Sequence, residues 1–276
     1  MDWFTDPFLL GFQQRALIGG AIAGVMCAVV GTWLVLRGMS FFGDAFVHGV
    51  VPGIAAAVVL GVNPMLGAAV AAVVMVLAIE AINRSTRLGE DTAIGLLFVG
   101  MLALGVVIIS QVDSYTGSLT AILFGDVLGI TVSQLVQQAV LAAIIIIAAT
   151  LLYRPLLALS LSEDKAKLLG MKPKQTHAVL LFLIAAAVIG SFQAVGTLLV
   201  FGLLIGPPAT AALVARTVPA MMILAIVISL FSVWLGLVIS YYADTSGSAT
   251  MALIPVVLFF LTMIARRIRN MMVVAT

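Results

Sequence analysis

Asp44 and His48 stand four residues apart in the run Ser40-Phe41-Phe42-Gly43-Asp44-Ala45-Phe46-Val47-His48-Gly49-Val50-Val51-Pro52-Gly53. On a helix that spacing puts both side chains on one face, about one turn apart. A carboxylate oxygen and a neutral imidazole nitrogen held this way make half of a site for a divalent transition metal: imidazole suits zinc, iron, nickel and copper, and manganese accepts mixed nitrogen and oxygen donors. Calcium asks for about six to eight oxygens, which this stretch does not offer. Copper(I) asks for thiolates or thioethers, and the 13 methionines show no such concentration. The pair also has a plainer reading, in which Asp44 caps a helix and His48 makes a buried hydrogen bond. The setting raises the metal reading: of only two histidines in 276 residues, one is placed inside an apolar stretch.

That setting is a bilayer. The chain is 63% hydrophobic and 9% charged, where a soluble domain has about 25% charged residues. The 25 glycines suit close helix packing in membranes and would weaken helices in water. A charge inside a span costs about 2.5–3.5 kcal/mol on insertion scales, so each one calls for an explanation. The net charge of +2 excludes little, but no aromatic-basic stripe points to nucleic acid. The single Cys27 cannot make an internal disulfide and reads as helix packing. The start, Met1-Asp2-Trp3, lacks the basic region of a cleavable signal peptide.

Nine apolar segments are long enough to be candidate spans: 16–36, 44–61, 65–82, 92–112, 132–152, 177–191, 196–214, 219–241 and 249–265. The stretch 115–131, with Asp126, reads as a shorter external element. With nine spans and the N-terminus outside, every one of the 13 basic residues except Arg15 falls on the cytosolic side. If 44–61 is re-entrant, eight spans remain, Arg15 moves in and Arg37 moves out, and the score is the same. The expectation is an all-α, polytopic membrane protein with eight or nine transmembrane helices, working as one domain over 1–276. Both arrangements place the C-terminus in the cytosol.

Three further features carry possible roles. In Ser162-Glu163-Asp164-Lys165-Ala166-Lys167-Leu168-Leu169-Gly170, Ser162 can cap a short cytosolic helix, the acids lie in its first turn and Gly170 can end it. The leucines give that helix an apolar edge suited to a soluble partner, or to folding back on the membrane. Gly206-Pro207-Pro208 should break the seventh segment, as happens where backbone lines a pathway and also at plain packing kinks. In the external turn Asp244-Thr245-Ser246-Gly247, Asp244 or Ser246 should cap the last helix, or else Asp244 takes a place in an external mouth. His177, beside Lys172 and Lys174, reads as an interfacial residue. No GxxxxGK[ST], GxSxG, HExxH or CxxC pattern occurs, so neither ATP binding through a P-loop nor catalysis by this chain alone is expected.

Leu36-Arg37-Gly38-Met39-Ser40-Phe41-Phe42-Gly43-Asp44-Ala45, with His48 and Pro52-Gly53, resembles a signature of the manganese/zinc/iron-chelate ABC transporter permeases. Similar strings follow in the same order: Glu90-Asp91-Thr92-Ala93-Ile94-Gly95, Leu123-Phe124-Gly125-Asp126, Gly196-Thr197-Leu198-Leu199-Val200, Leu204-Ile205-Gly206-Pro207-Pro208-Ala209, and Tyr241 with Asp244. Together they cover nearly the whole chain.

The resemblance implies a permease of an ATP-driven importer in a bacterial plasma membrane. It implies a second copy of the chain, a cytosolic ATP-binding subunit and an extracytoplasmic metal-binding protein as partners. By position, Asp44 and His48 match the family's intramembrane metal pair. Glu163, Asp164, Lys165, Ala166, Leu168, Leu169 and Gly170 match its coupling helix, about 162–171. Gly206, Pro207, Pro208 and Asp244 are pathway or gate candidates. No tightly bound cofactor is implied, only the transported ion, Mn²⁺ or Zn²⁺, with ATP acting through the partner. An importer of an iron chelate or other larger solute, a secondary transporter without an ATPase, and an intramembrane enzyme are the alternatives.

Overall fold

The computed structural model describes residues 6–85, 90–110 and 129–274. Arg87 and the stretch 115–128, Asp126 included, lie outside the described residues. A 3₁₀ turn (Asp6–Leu9) leads into α1 (Gly11–Leu36), α2 (Ser40–Gly49), α3 (Val51–Val59), α4 (Pro64–Ser85) and α5 (Glu90–Ile109). Then come α6 (Val132–Leu151), α7 (Tyr153–Leu161), α8 (Glu163–Leu168) and α9 (Pro173–Val195). The chain ends in α10 (Thr197–Val214), α11 (Val218–Ala243) and α12 (Gly247–Val274). Among the described residues there is no strand.

Among the described residues, seven helical stretches are long and apolar enough to cross a membrane, with Ser40–Val59 taken as one. The expected segments 92–112 and 196–214 fall on shorter apolar helices, Thr92–Ile108 and Leu198–Val214. The ends of the helices sort by side. Trp33, near the end of α1, meets Tyr153 edge-on at 5.5 Å. Val35, Leu36 and Ala215 pack against one cluster of Ala28, Ala211, Met221 and Ala225, and Arg266 of α12 donates to the Leu213 carbonyl at the end of α10. Arg37, Arg154, Arg216 and Arg266 therefore share one end of the bundle. That grouping fits the arrangement in which 44–61 crosses and the N-terminus lies opposite those arginines.

α1 is the most buried of the long helices, as expected of a helix apolar on every side. Its small residues Gly20, Gly24 and Ala28, four apart, meet Val233, Ser229 and Ala225 of the antiparallel α11, also four apart. Van der Waals packing, rather than hydrophobic exclusion, holds such pairs in lipid, and small side chains let the backbones close up. Gly31 lies against the Leu204 carbonyl of α10, where a Cβ would collide. Gly53 and Gly67 bring α3 and α4 together the same way.

One residue, Gly196, separates α9 from α10, with φ 79° and ψ 162°. Only glycine takes that backbone conformation without strain. Gly196→Ala is expected to cost about 1–3 kcal/mol, seen as a lower thermal midpoint of the purified protein with its helix content unchanged.

Candidate functional site

Between Ser40 and Val50 the chain covers every residue except Ser40, Phe41, Asp44 and His48. The uncovered stripe of α2 thus carries both of its ionisable groups. Their side chains are 31% (Asp44) and 32% (His48) exposed. Lipid cannot solvate a carboxylate, so this stripe must face water, an ion or another protein surface. The rest of α2 is held by packing: Gly43 seats on Leu204 and Leu34, and Gly49 on Met75. Phe98 of α5 closes one side, edge-on to His48 at 5.9 Å and to Phe41 at 5.8 Å.

The His48 Nδ1 atom lies 3.0 Å from the Asp44 carbonyl oxygen and 3.4 Å from its Oδ1. A carbonyl only accepts, so the neutral ring carries its proton on Nδ1 and keeps the Nε2 lone pair for a ligand. Two donors sharing one tetrahedral ion at 2.0–2.2 Å lie about 3.3–3.6 Å apart, which is also the Nδ1–Oδ1 spacing. An ion can take the ring at Nε2 with the present bond kept, or at Nδ1 with the proton displaced. Among the described residues no three of His, Cys, Asp and Glu come together. The pair is two donors and needs others from outside the described chain.

The helix breaks immediately beyond the pair. Pro52 has no N–H to give the His48 carbonyl, which takes the Val50 N–H instead. Val50 ends α2 and starts α3, with Pro52 in the first turn of the new helix. His48 therefore sits in the last turn of a half-helix, where the aligned carbonyls favour a cation.

The other expected residues behave unevenly. Gly206-Pro207-Pro208 does not break its helix: α10 runs through both prolines. Pro208 removes the N–H that would bond the Leu204 carbonyl, and that carbonyl lies against Gly31 of α1, where the two helices pack closely. Gly206 lies close to Pro255 of α12, and Thr210 Oγ1 bonds its carbonyl at 2.8 Å. Asp244 does not cap the last helix. It ends α11 in the left-handed region, φ 50° and ψ 40°, a conformation aspartate tolerates better than most side chains. His177, near the start of α9, is 6% exposed and so packs against the protein.

The 162–171 segment forms the short helix α8. Ser162 Oγ accepts the Lys165 N–H at 3.5 Å, and Glu163 and Asp164 occupy the positive N-terminal turn. Asp164 pairs with Lys167 at 3.3 Å. At the other end the Gly170 N–H bonds Lys167 and the Met171 N–H bonds Ala166, both at 3.0 Å, with Gly170 at φ 72°. That is a Schellman close, which needs glycine at this position. Leu168 and Leu169 stand out at 87% and 68% exposed, whereas Ala166 is fully buried. Ala166 thus packs inward while the two leucines face out. Ser162→Ala is expected to weaken the helix by about 0.5–2 kcal/mol, read as faster hydrogen exchange of amides 165–171.

Apolar helices long enough to cross a bilayer, with a part-exposed carboxylate–imidazole pair where one of them breaks, fit a membrane permease. Residues 10–266 match the model of the ABC 3 transport family. The chain belongs to that family and is a multi-pass protein of the plasma membrane. It is 34% identical to the probable iron transport system membrane protein of Haemophilus influenzae, over 97% of this chain and 98% of that one. It is 36% identical to the manganese transport system membrane protein MntC of Listeria monocytogenes, over 91% of this chain and 89% of that one. Its fold is similar to that of PsaBC from Streptococcus pneumoniae, solved in complex with Fab: TM-score 0.83, 32% identity, 94% of each chain covered.

Proposed function

We propose that this chain is the membrane-spanning subunit of an ATP-driven importer for a divalent transition-metal ion, manganese or zinc, and that Asp44 and His48 hold the ion midway. The observation that carries the reading is the uncovered stripe of α2, which exposes these two donors, 3.4 Å apart, to a partner other than lipid. A second copy of the chain, bringing its own Asp44 and His48, completes four donors around one ion. Two ligands from each copy make an open site rather than a cage, which suits an ion that must leave as well as enter.

Each chain works as one permease domain over 1–276. A cytosolic ATP-binding subunit docks on the Leu168/Leu169 edge of α8, where Glu163, Asp164, Lys165 and Gly170 shape the surface. ATP binding and hydrolysis there move α8 and expose the site to one side at a time. An extracytoplasmic metal-binding protein delivers the ion. Gly206, Pro207 and Pro208 act by keeping α10 close to α1 and α12 behind the site, and Asp244 shapes the external turn.

The relatives' names divide between manganese and iron. A bare ion fits this site better than a chelate, because a chelated metal has its coordination already filled and gains little from a carboxylate and an imidazole.

The test is uptake in liposomes holding the chain with its ATP-binding subunit and binding protein. Radiolabelled Mn²⁺ or Zn²⁺ should accumulate only with ATP, and the better-transported ion names the substrate. Uptake driven by an ion gradient without ATP would make the chain a secondary transporter. Uptake of an iron chelate, with no movement of free ions, would make it an importer of larger solutes.

A further inference from the structure

The Asp44–His48 pair has a wall on one side, and Phe98 of α5 forms it. Phe41 and His48 stand seven residues apart on α2, about 10.5 Å of helix rise. The Phe98 ring meets both, 5.8 Å from the Phe41 ring and 5.9 Å from the His48 ring. It therefore stands between them, level with Asp44, which falls within the same stretch of α2. Both contacts are edge-on, at 75° and 87°, an arrangement that aromatic rings favour.

α5 lies close to the broken span on either side of this ring. A Cβ on Gly95 would stand 3.8 Å from Cε1 of Phe41, and a Cβ on Gly105 would come within 3.4 Å of the Pro52 nitrogen, at the break itself. With no side chain at either point to hold the helices apart, Phe98 is kept against α2. Phe98 is half-buried and packs on the core of the bundle. α5 also offers an ion no hard donor here: between 93 and 109 it has no side-chain oxygen or nitrogen. An ion on Asp44 and His48 thus has carbon, not water, on the α5 side. That bears unequally on different ions. Mg²⁺ keeps several of its waters at protein sites, and Ca²⁺ asks for about six to eight oxygens. A transition metal gains an imidazole nitrogen in exchange for water, whereas the hard ions gain little from it.

We propose that Phe98 is a specificity-determining residue: it excludes water from one side of the Asp44–His48 site and so sets a preference for a transition-metal ion over Mg²⁺ and Ca²⁺. The apolar shell of a metal site controls solvent access in this way. The inference rests on the reading of Asp44 and His48 as the ion site and adds to it a residue that donates nothing to the ion.

The full-length chain in nanodiscs is equilibrated with radiolabelled Mn²⁺, and Ca²⁺ or Mg²⁺ is added as competitor. The readout is the ratio of the competitor's Kd to that of Mn²⁺. F98S and F98A both open the wall, and each should lower the ratio by about 10-fold or more. F98L refills the space with carbon and should keep most of the wild-type ratio. A ratio unchanged in both open variants would overturn the proposal, as would loss of all ion binding in both. A fall in F98L as large as in F98S would overturn it too, because the ring would then act by orienting His48 and not by excluding water. D44A separates the inference from its premise. Mn²⁺ bound equally well in D44A removes the ion site itself, and this inference with it. Mn²⁺ lost in D44A, with the ratio unmoved in F98S and F98A, leaves the site standing and strikes Phe98 alone.

Discussion

Asp44→Ala should abolish ATP-driven metal uptake while leaving assembly and fold intact. Changing a residue that merely supports a metal ligand costs about 10–100-fold, so losing a ligand itself should cost more than about 100-fold. The carboxylate supplies the only formal negative charge on the uncovered stripe of α2. Without it, His48 alone cannot repay an ion for its lost hydration. Asp44→Asn is the sharper form of the experiment, because the amide keeps the shape and can still sit 3.4 Å from Nδ1 while removing the charge. Uptake should fall nearly as far as with alanine. If Asp44→Asn transports normally, the carboxylate is a structural cap and the ion is held elsewhere. Initial uptake rates, together with the size-exclusion profile of the assembled transporter, check both halves.

The second large effect lies at the other end of the machine. Leu168 and Leu169 are exposed leucines on a helix capped at both ends, and among the described residues nothing covers them. Burying a leucine contributes about 1.5–3 kcal/mol, so replacing both by aspartate should weaken the ATP-binding subunit by about 100-fold or more. The readout is co-purification of that subunit and the metal-stimulated part of ATP hydrolysis. Ion binding by the isolated permease should be unchanged, since α8 stands apart from α2. Intact co-purification would remove α8 from the interface.

The sequence disclosed these features unequally, for physical reasons. Long apolar runs mark spans because a bilayer demands about 20 apolar residues per crossing, and that demand shows in one stretch of chain. The break after His48 went unread within the segment 44–61, although Pro52 carries its local signal: a proline removes a donor wherever it sits. The caps of α8 were equally local: a hydroxyl at Ser162 and a glycine at Gly170 act on backbone a few residues away. The failures share a different cause. Two prolines at 207 and 208 read as a break, but the carbonyl they leave lies against Gly31, more than 170 residues earlier, and tertiary packing overrides the local rule. Asp244 or Ser246 read as the cap of the last helix; Ser246 stands immediately before it, whereas Asp244 closes the helix before. Phe98 gives no sign in the sequence of its place beside His48, because nothing about a phenylalanine in an apolar helix says which neighbour it meets. The inward turn of Ala166 was equally hidden, since one face of a six-residue helix cannot be assigned without knowing what lies beneath it.

The central claim is that a metal ion rests on Asp44 and His48 inside the membrane. Pulsed EPR on the Mn²⁺-loaded permease tests it most directly, because a nitrogen ligand imprints its nuclear modulation on the manganese electron spin. The wild-type protein should show modulation from a coordinated imidazole. His48→Ala should lose that modulation, and Asp44→Ala should lose most of the bound manganese. Nitrogen modulation that persists in His48→Ala, or manganese bound equally well without Asp44, would contradict the site.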